Sequence, residues 1–446
     1  MGEEDLKAML GDPRKAVRRM VVPFILSILT VQVNVFADTF WVSGLGIDAV
    51  SGMTSAIPLY TLITSIGIGL AVGVTATIAF RLGKGDMESA SSLAGNAIAM
   101  GALLSIAVAM VIVAMIDPVV SLMGADDVRS EVREYLVPLA LLSPLIVLNT
   151  VFGGLLRSEG SARRSTVVQV SAAVVNIVLD PLLIYGAGMG LAGAGLATGL
   201  ASGAGILVAA RWFLTGRTSI SVTAANLRIR RGCCEELMAV AAPRSVEGIV
   251  MSMVILFQRI FIIMASGTPG VSLFNVPFRY VSLSMCPSEA TGMAMVPVAA
   301  SAYGQGDMDR MKESMRYSMR LALSSSLILM VVLFLMSDVL ISIFTTDPSM
   351  GEWKDAFVWN MRMYCVILPF FTIQTIGSSM LQAMKRAKRP MEITMVLGVV
   401  RMVLFWLCCG YGYVGITYAL IASYVLSAAL MMIMARHEMK AILRTS

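Results

Sequence analysis

Four side chains in the first half of the 446-residue chain carry the strongest chemical signal, and they come as two matched pairs. Asn34 precedes Asp38 by four residues, as Asn176 precedes Asp180, and on a helix that spacing stacks both side chains on one face. Each pair lies in a long apolar stretch, where a charge costs several kcal/mol and is a functional candidate by default. Two such carboxyls with amide neighbours can hold a proton near neutral pH or coordinate a hard cation through oxygen. Either event changes the local charge and can bias the bend of a proline-containing helix, with Pro23 and Pro181 as the weak points. The plainer alternative is that Asp38 and Asp180 only tie helices together by hydrogen bonds.

The elements that must position these residues follow from composition. Of the residues 57% are hydrophobic and 14% charged, with a mean hydropathy of +0.81. Soluble domains carry roughly a quarter charged residues, so an ordinary cytosolic enzyme is excluded. Disorder is excluded by the same figures, and a disulfide scaffold by six cysteines in so long a chain. Those cysteines (233, 234, 286, 365, 408 and 409) lack C-x-x-C spacing and read as small apolar residues. The one histidine, His437, sits beside Arg436 and Glu438 near the C-terminus, so histidine-dependent metal or triad chemistry has almost no material. No small-residue cleavage site follows the basic N-terminal stretch, which is expected as an amphipathic prelude.

Stretches long enough to cross a bilayer as helices recur at 20–37, 49–80, 97–116, 135–156, 165–187, 188–210, 237–265, 270–302, 321–337, 363–384, 390–410 and 413–435. The expected fold is therefore an all-α integral membrane protein of twelve transmembrane helices. Lys and Arg crowd the two ends and every second loop, whereas the alternate loops are acidic at Asp126, Asp127, Glu131 and Glu134 and again at Asp347, Glu352 and Asp355. By the positive-inside rule both termini are expected in the cytoplasm.

An internal repeat divides the chain. Leu82-Gly83-Lys84-Gly85-Asp86-Met87-Glu88 matches Tyr303-Gly304-Gln305-Gly306-Asp307-Met308-Asp309, and in near-constant register Asp117 matches Asp338, Asp126 matches Asp347 and Pro23 matches Pro243. Six helices per repeat give two halves of the same orientation around a central cleft. The expected boundaries are an N-terminal lobe at 1–214, a cytoplasmic linker at 215–236 and a C-terminal lobe at 237–446.

The repeat also exposes an asymmetry. Gln258 and Phe405 stand where Asp38 and Asp180 would recur, so the buried acids belong to one half. In the second half Arg244 and Glu247 have the spacing of a local ion pair, and Arg259, Arg279 and Arg401, with Glu289, leave a positive surplus. That surplus reads either as snorkelling or pairing, or as a basic wall favouring anionic or zwitterionic cargo. Gly188-Met-Gly190-Leu-Ala-Gly193 fits G-x-G-x-x-G but lacks the strand and downstream acid of a dinucleotide site. Gly195, Gly199 and Gly203 instead have the spacing of close helix packing. There is no Walker A sequence, and no cofactor or nucleic-acid partner is expected.

With these residues in place, the chain resembles the multidrug and toxic compound extrusion (MATE) family over nearly its whole length. The resemblance rests on the two six-helix halves, the G-x-G-D loops at Gly83–Asp86 and Gly304–Asp307, Asp38 downstream of Pro23, and the run Asn176-Ile-Val-Leu-Asp180-Pro181. It implies the first-lobe cation site of the DinF-like and archaeal branch, with Thr198 joining Asp38, Asn176 and Asp180 around H+ or Na+. Apart from that Na+, no metal is implied. A MepA-like affiliation is equally compatible. The second-lobe acids of the NorM branch are not matched, because helix ten carries Gln374 and Gln382 and Glu247 lies too near its proline.

The implied activity is antiport rather than enzymatic catalysis, in which an inward cation gradient drives export of amphipathic organic compounds. The cargo is expected in the cleft, at Asn34, Tyr135, Asn149, Gln258, Arg259 and Arg279, with methionines as adaptable walls. A chain enclosing its own cleft in the bilayer is expected to work as a monomer. The rival reading is a lipid-linked oligosaccharide or lipid flippase, whose intramembrane arginines would bind pyrophosphate.

Overall fold

The computed structural model describes residues 2–343 and 352–445, so Asp347 in the second acidic loop lies outside the described residues. The described residues are largely α-helical, as a bilayer demands of backbone that has no water to bond. Its α-helices are α1 (Gly2–Leu10), α2 (Pro13–Ser43), α3 (Ile47–Gly83), α4 (Met87–Leu122), α5 (Arg129–Leu141), α6 (Ser143–Ser158), α7 (Ala162–Pro181) and α8 (Gly190–Leu214). The second half comprises α9 (Arg231–Gln305), α10 (Met308–Ser342), α11 (Lys354–Cys365), α12 (Ile367–Ala383), α13 (Lys388–Cys408) and α14 (Gly412–Thr445).

Among the described residues, nine helical segments are long and apolar enough to cross a membrane, and the bent pair α5 and α6 makes ten. Two further divisions recover the twelve passes. Helix α9 breaks at Gly267, whose backbone (φ 62, ψ −162) is non-helical, and the 388–444 stretch breaks at a 3-10 turn ending in Gly412 (φ 65, ψ −156). Large apolar side chains such as Val22, Leu207 and Leu335 stand exposed on the outer faces, where lipid covers them.

Several spans differ from their sequence boundaries. The fourth pass is bent by 53° between α5 and α6, at a point flanked by Pro138 and Pro144, each of which removes a helical hydrogen bond. Helix α7 ends at Pro181 and passes into a π-turn at Leu182–Gly186. Helix α2, by contrast, runs unbroken through Pro23, whose carbonyl accepts from Thr166 Oγ1 at 2.8 Å. Of the stretch expected as linker, residues 231–236 already belong to α9.

The two lobes repeat one another in detail. Asp86 caps α4 by accepting from the Ser89 amide (3.0 Å), and Asp307 caps α10 by accepting from the Arg310 amide (2.9 Å). Asp117 pairs with Arg133 at 2.7 Å in the first lobe, and Asp338 with Arg362 at 2.6 Å in the second. At the face bearing both termini the lobes touch through glycines. A Cβ on Gly83 would strike the Ser301 backbone, and one on Gly304 would strike the Phe80 backbone, so only glycine allows this approach.

Helix α1 lies across the same face. Asp5 accepts from Ser161 (2.9 Å) and Arg19 (3.0 Å), while the Met9 carbonyl accepts from Arg310 of the second lobe (2.6 Å). Within the first lobe, α8 packs closely through its glycines. Gly195 faces the Tyr135 carbonyl and Gly199 faces Leu142, the role expected of that stripe. The first amides of α8 at Leu191 and Ala192 are capped by Glu134 (3.0 and 3.3 Å).

Candidate functional site

The helical spacing that aligns Asn34 with Asp38 and Asn176 with Asp180 would mean little if α2 and α7 faced apart. They pack together, and the two pairs interlock. Asn34 Nδ2 donates to Asn176 Oδ1 at 2.6 Å and reaches Asp38 Oδ2 at 3.5 Å, while Asn176 Nδ2 donates to Asp180 Oδ1 at 3.2 Å. The Asp38 and Asp180 carboxyls also lie within hydrogen-bonding reach of each other. Asn176 and Asp180 are almost fully enclosed, at 2% and 1% exposure.

Three oxygens in this group, Asn34 Oδ1, Asp38 Oδ1 and Asp180 Oδ2, are buried without a hydrogen-bond partner. Buried polar atoms are rarely left so, because each forfeits its hydration. Two adjacent carboxylates repel unless a proton or a cation lies between them, and unpaired oxygens are the donors that a hard cation takes. The donor set therefore fits either H+ or Na+.

Two tyrosines stand beside the acids. Tyr135 on α5 and Tyr60 on α3 are both close enough to Asp38 to feel its charge. Tyr60 was not singled out from the sequence, since nothing local distinguishes it from a packing tyrosine. Thr198 on α8 spends its hydroxyl proton on the Ala194 carbonyl of its own helix (3.1 Å).

Helix α2 presents a different set on its other side. Gln32, Phe36, Thr39 and Ser43 follow helical spacing and line a cavity of about 460 Å³, completed by Arg279 and Ser282 from the second half of α9. Asn34 and Asp38 are displaced from that stripe by two residues, about 200° around the helix. One helix thus divides the acid pair from the cleft.

The other expected cleft residues are distributed differently. Arg279 lines the cavity and Arg259 is exposed on α9, whereas Gln258 is buried. Tyr135 is at the acids, and Asn149 is buried in the first lobe against Gly205 of α8. Asn34 faces the acids rather than the cavity. Arg401 takes no part in a basic wall, because it is buried, donates to Ser423 Oγ at 2.9 Å and lies over the Tyr424 ring. Arg244 pairs with Glu247 at 3.4 Å, as its spacing suggested.

The fold is that of a two-lobed helical membrane protein with a buried acid pair beside an interlobe cavity, and the chain belongs to the MatE family of transporters, whose model matches residues 23–182 and 243–407. Members of this family are transporters, not enzymes, and move small organic compounds across membranes. Among similar proteins is a FAD transporter of Shewanella oneidensis, 24% identical over 91% of this chain and 89% of that one. The multidrug export protein MepA of Staphylococcus aureus is 22% identical over 92% of this chain and 89% of its own. A solved MOP superfamily transporter from Pyrococcus furiosus superposes with a TM-score of 0.91 at 25% identity, covering 98% of both chains.

Proposed function

We propose that this protein is an antiporter of the cell membrane that exports amphipathic organic compounds in exchange for H+ or Na+. The observation that carries the reading is the division of α2. Its one side presents the unpartnered oxygens of Asn34 and Asp38 toward Asp180, and its other side lines the interlobe cavity. Occupancy of the acid pair by a cation removes the repulsion between α2 and α7 and lets them close on each other. That movement of α2 changes the cavity wall at Phe36 and Thr39, which couples cation entry to cargo release. Similarity to MepA, a multidrug export protein, supports the cargo class, and similarity to the FAD transporter widens it to bulky organic molecules.

The face bearing the termini is assigned to the cytoplasm, because Arg14, Arg18, Arg19, Arg81, Lys84 and Arg163 lie at that end while the opposite loops carry Asp126, Asp127 and Glu131. Contact between the lobes at Gly83 and Gly304 closes that face, so the cavity belongs to the outward side. One chain supplies both lobes and suffices as a monomer, divided at 1–214, 215–236 and 237–446.

The test is export from proteoliposomes under an imposed pH or sodium gradient. Asp38→Asn and Asp180→Asn are each expected to abolish the dependence on the gradient while leaving folded protein. Gradient-driven export that survives both substitutions overturns the proposal.

A further inference from the structure

An arginine inside a membrane-spanning helix costs several kcal/mol unless it finds a partner, and most in this chain do. Arg244 has Glu247, Arg157 donates to Ser165 (3.4 Å), and Arg401 is held by Ser423 and Tyr424. Arg279 differs. Among the described residues no carboxylate lies within ion-pair distance of it, and its guanidinium lies over the Phe36 ring, 5.1 Å from the centroid, at the edge of the 460 Å³ cavity. Among the described residues no acidic side chain lines that cavity, because Asp38 faces the other way on α2.

The remaining polar groups narrow the chemistry. Thr39 Oγ1 donates to the Val35 carbonyl (2.8 Å), Ser43 Oγ to Phe40 (2.7 Å) and Ser282 Oγ to Arg279 (2.9 Å). Their protons are spent on backbone, so toward the cavity these hydroxyls offer lone pairs. Donors come from Arg279 and the amide of Gln32. The Phe36 ring lies against the guanidinium, and Arg279 is otherwise exposed, so the rest of the group is free to stack on a planar ring and to grip an anionic group in a two-point contact.

We infer that Arg279, seated beside the Phe36 ring, selects cargo that combines a planar ring with a carboxylate, phosphate or sulfonate, and whose own N–H or O–H groups satisfy Thr39, Ser43 and Ser282. This rests on the reading of the cleft as the cargo path and names the cargo's charge. An acidic cavity would take organic cations; this one repels them.

The test is equilibrium binding by fluorescence to the full chain in phosphatidylcholine nanodiscs, with no gradient applied, so it is independent of coupling through Asp38 and Asp180. Flavin mononucleotide and riboflavin serve as probes, because they share ring and hydroxyls and differ in the phosphate. The wild type is expected to prefer the mononucleotide, and Arg279→Gln to reduce that preference about tenfold or more, the range of a charge-assisted contact. Arg279→Lys, which keeps the charge but loses the planar fork, is expected to fall between them and decides the matter if the glutamine variant does not fold. Equal affinity of the wild type for both probes, or an unchanged ratio in the variants, overturns the inference. A further arm adds phosphatidylglycerol. Displacement of the mononucleotide by that lipid assigns Arg279 to a headgroup and also overturns it, whereas unchanged binding supports it.

Discussion

Replacing Glu236 with alanine should loosen the closed face of the transporter by a calculable amount. Glu236 near the start of α9 accepts from Arg81 Nη2 of the first lobe at 2.7 Å and from Lys385 Nζ, in the loop between α12 and α13 of the second, also at 2.7 Å. Beneath this bridge Phe80 packs on Tyr303 (5.3 Å) with the amines of Lys84 and Lys385 over its ring. Charge-assisted bonds contribute about 1.5 to 3 kcal/mol when buried. Here the three side chains are 17%, 29% and 24% exposed, and screening brings each contact down to about 1 kcal/mol.

Only the contact to Arg81 crosses between the lobes, so its loss gives about 1 kcal/mol, roughly a 5-fold shift toward states open on this side. Arg81 retains Asp86 at 3.3 Å, so the variant should remain folded. Hydrogen exchange of peptides spanning 80–86 and 301–307 reads the opening directly, and both should exchange faster by that factor while peptides within α5 do not. The effect should shrink in high salt. Unchanged exchange in both segments would refute the idea that Glu236 holds the lobes together.

Two further perturbations test the polar architecture. Asn176→Ala removes both the donor to Asp180 and the acceptor for Asn34, so thermal unfolding should show a loss of about 2 to 4 kcal/mol; a loss under 1 kcal/mol would mean that the cluster is not tightly bonded. Glu159, in the loop between α6 and α7, accepts from the amides of Ser219 and Ile220 (both 3.1 Å), and burial pushes its carboxyl from 4.5 up to about 7 despite those amides and the nearby Arg164. A raised carboxyl pKa means that the folded state holds the proton more tightly, so its contribution to stability is full below about pH 4.5 and is lost as pH rises through 7. Exchange at 217–220, corrected for intrinsic rates, should therefore be faster at pH 8 than at pH 6, and Glu159→Gln should abolish that difference; slower opening at pH 8 would contradict the sign.

Much of this molecule was legible in its sequence because the relevant physics is local. Hydrophobic run length dictates spans, since a bilayer core of fixed thickness must be crossed by backbone that bonds to itself. Four-residue spacing makes Asn34 and Asp38 neighbours, and Asn176 and Asp180 likewise, whatever else the helices touch. The matched G-x-G-D loops reported the repeat, and its offset showed that the acids belong to one lobe. The bends were less legible. Pro23 sits in an unbroken helix, while the 53° bend falls between Pro138 and Pro144, because neighbouring helices decide whether a weakened turn actually gives.

Tertiary structure alone decided what each surface faces. The sequence left Arg259, Arg279 and Arg401 together as a positive surplus, either snorkelling or paired or forming a basic wall, but only packing buries Arg401 against Tyr424 and sets Arg279 over Phe36, a ring far away in the chain. It likewise brought Tyr60 to Asp38 and carried Asn149 into the first lobe, away from the cavity. Helical periodicity fixes which residues share a face, whereas contact between faces hundreds of residues apart depends on how whole helices pack, and single-chain spacing does not encode that. The acids were therefore readable as pairs, and their meeting between α2 and α7 was decided by the fold.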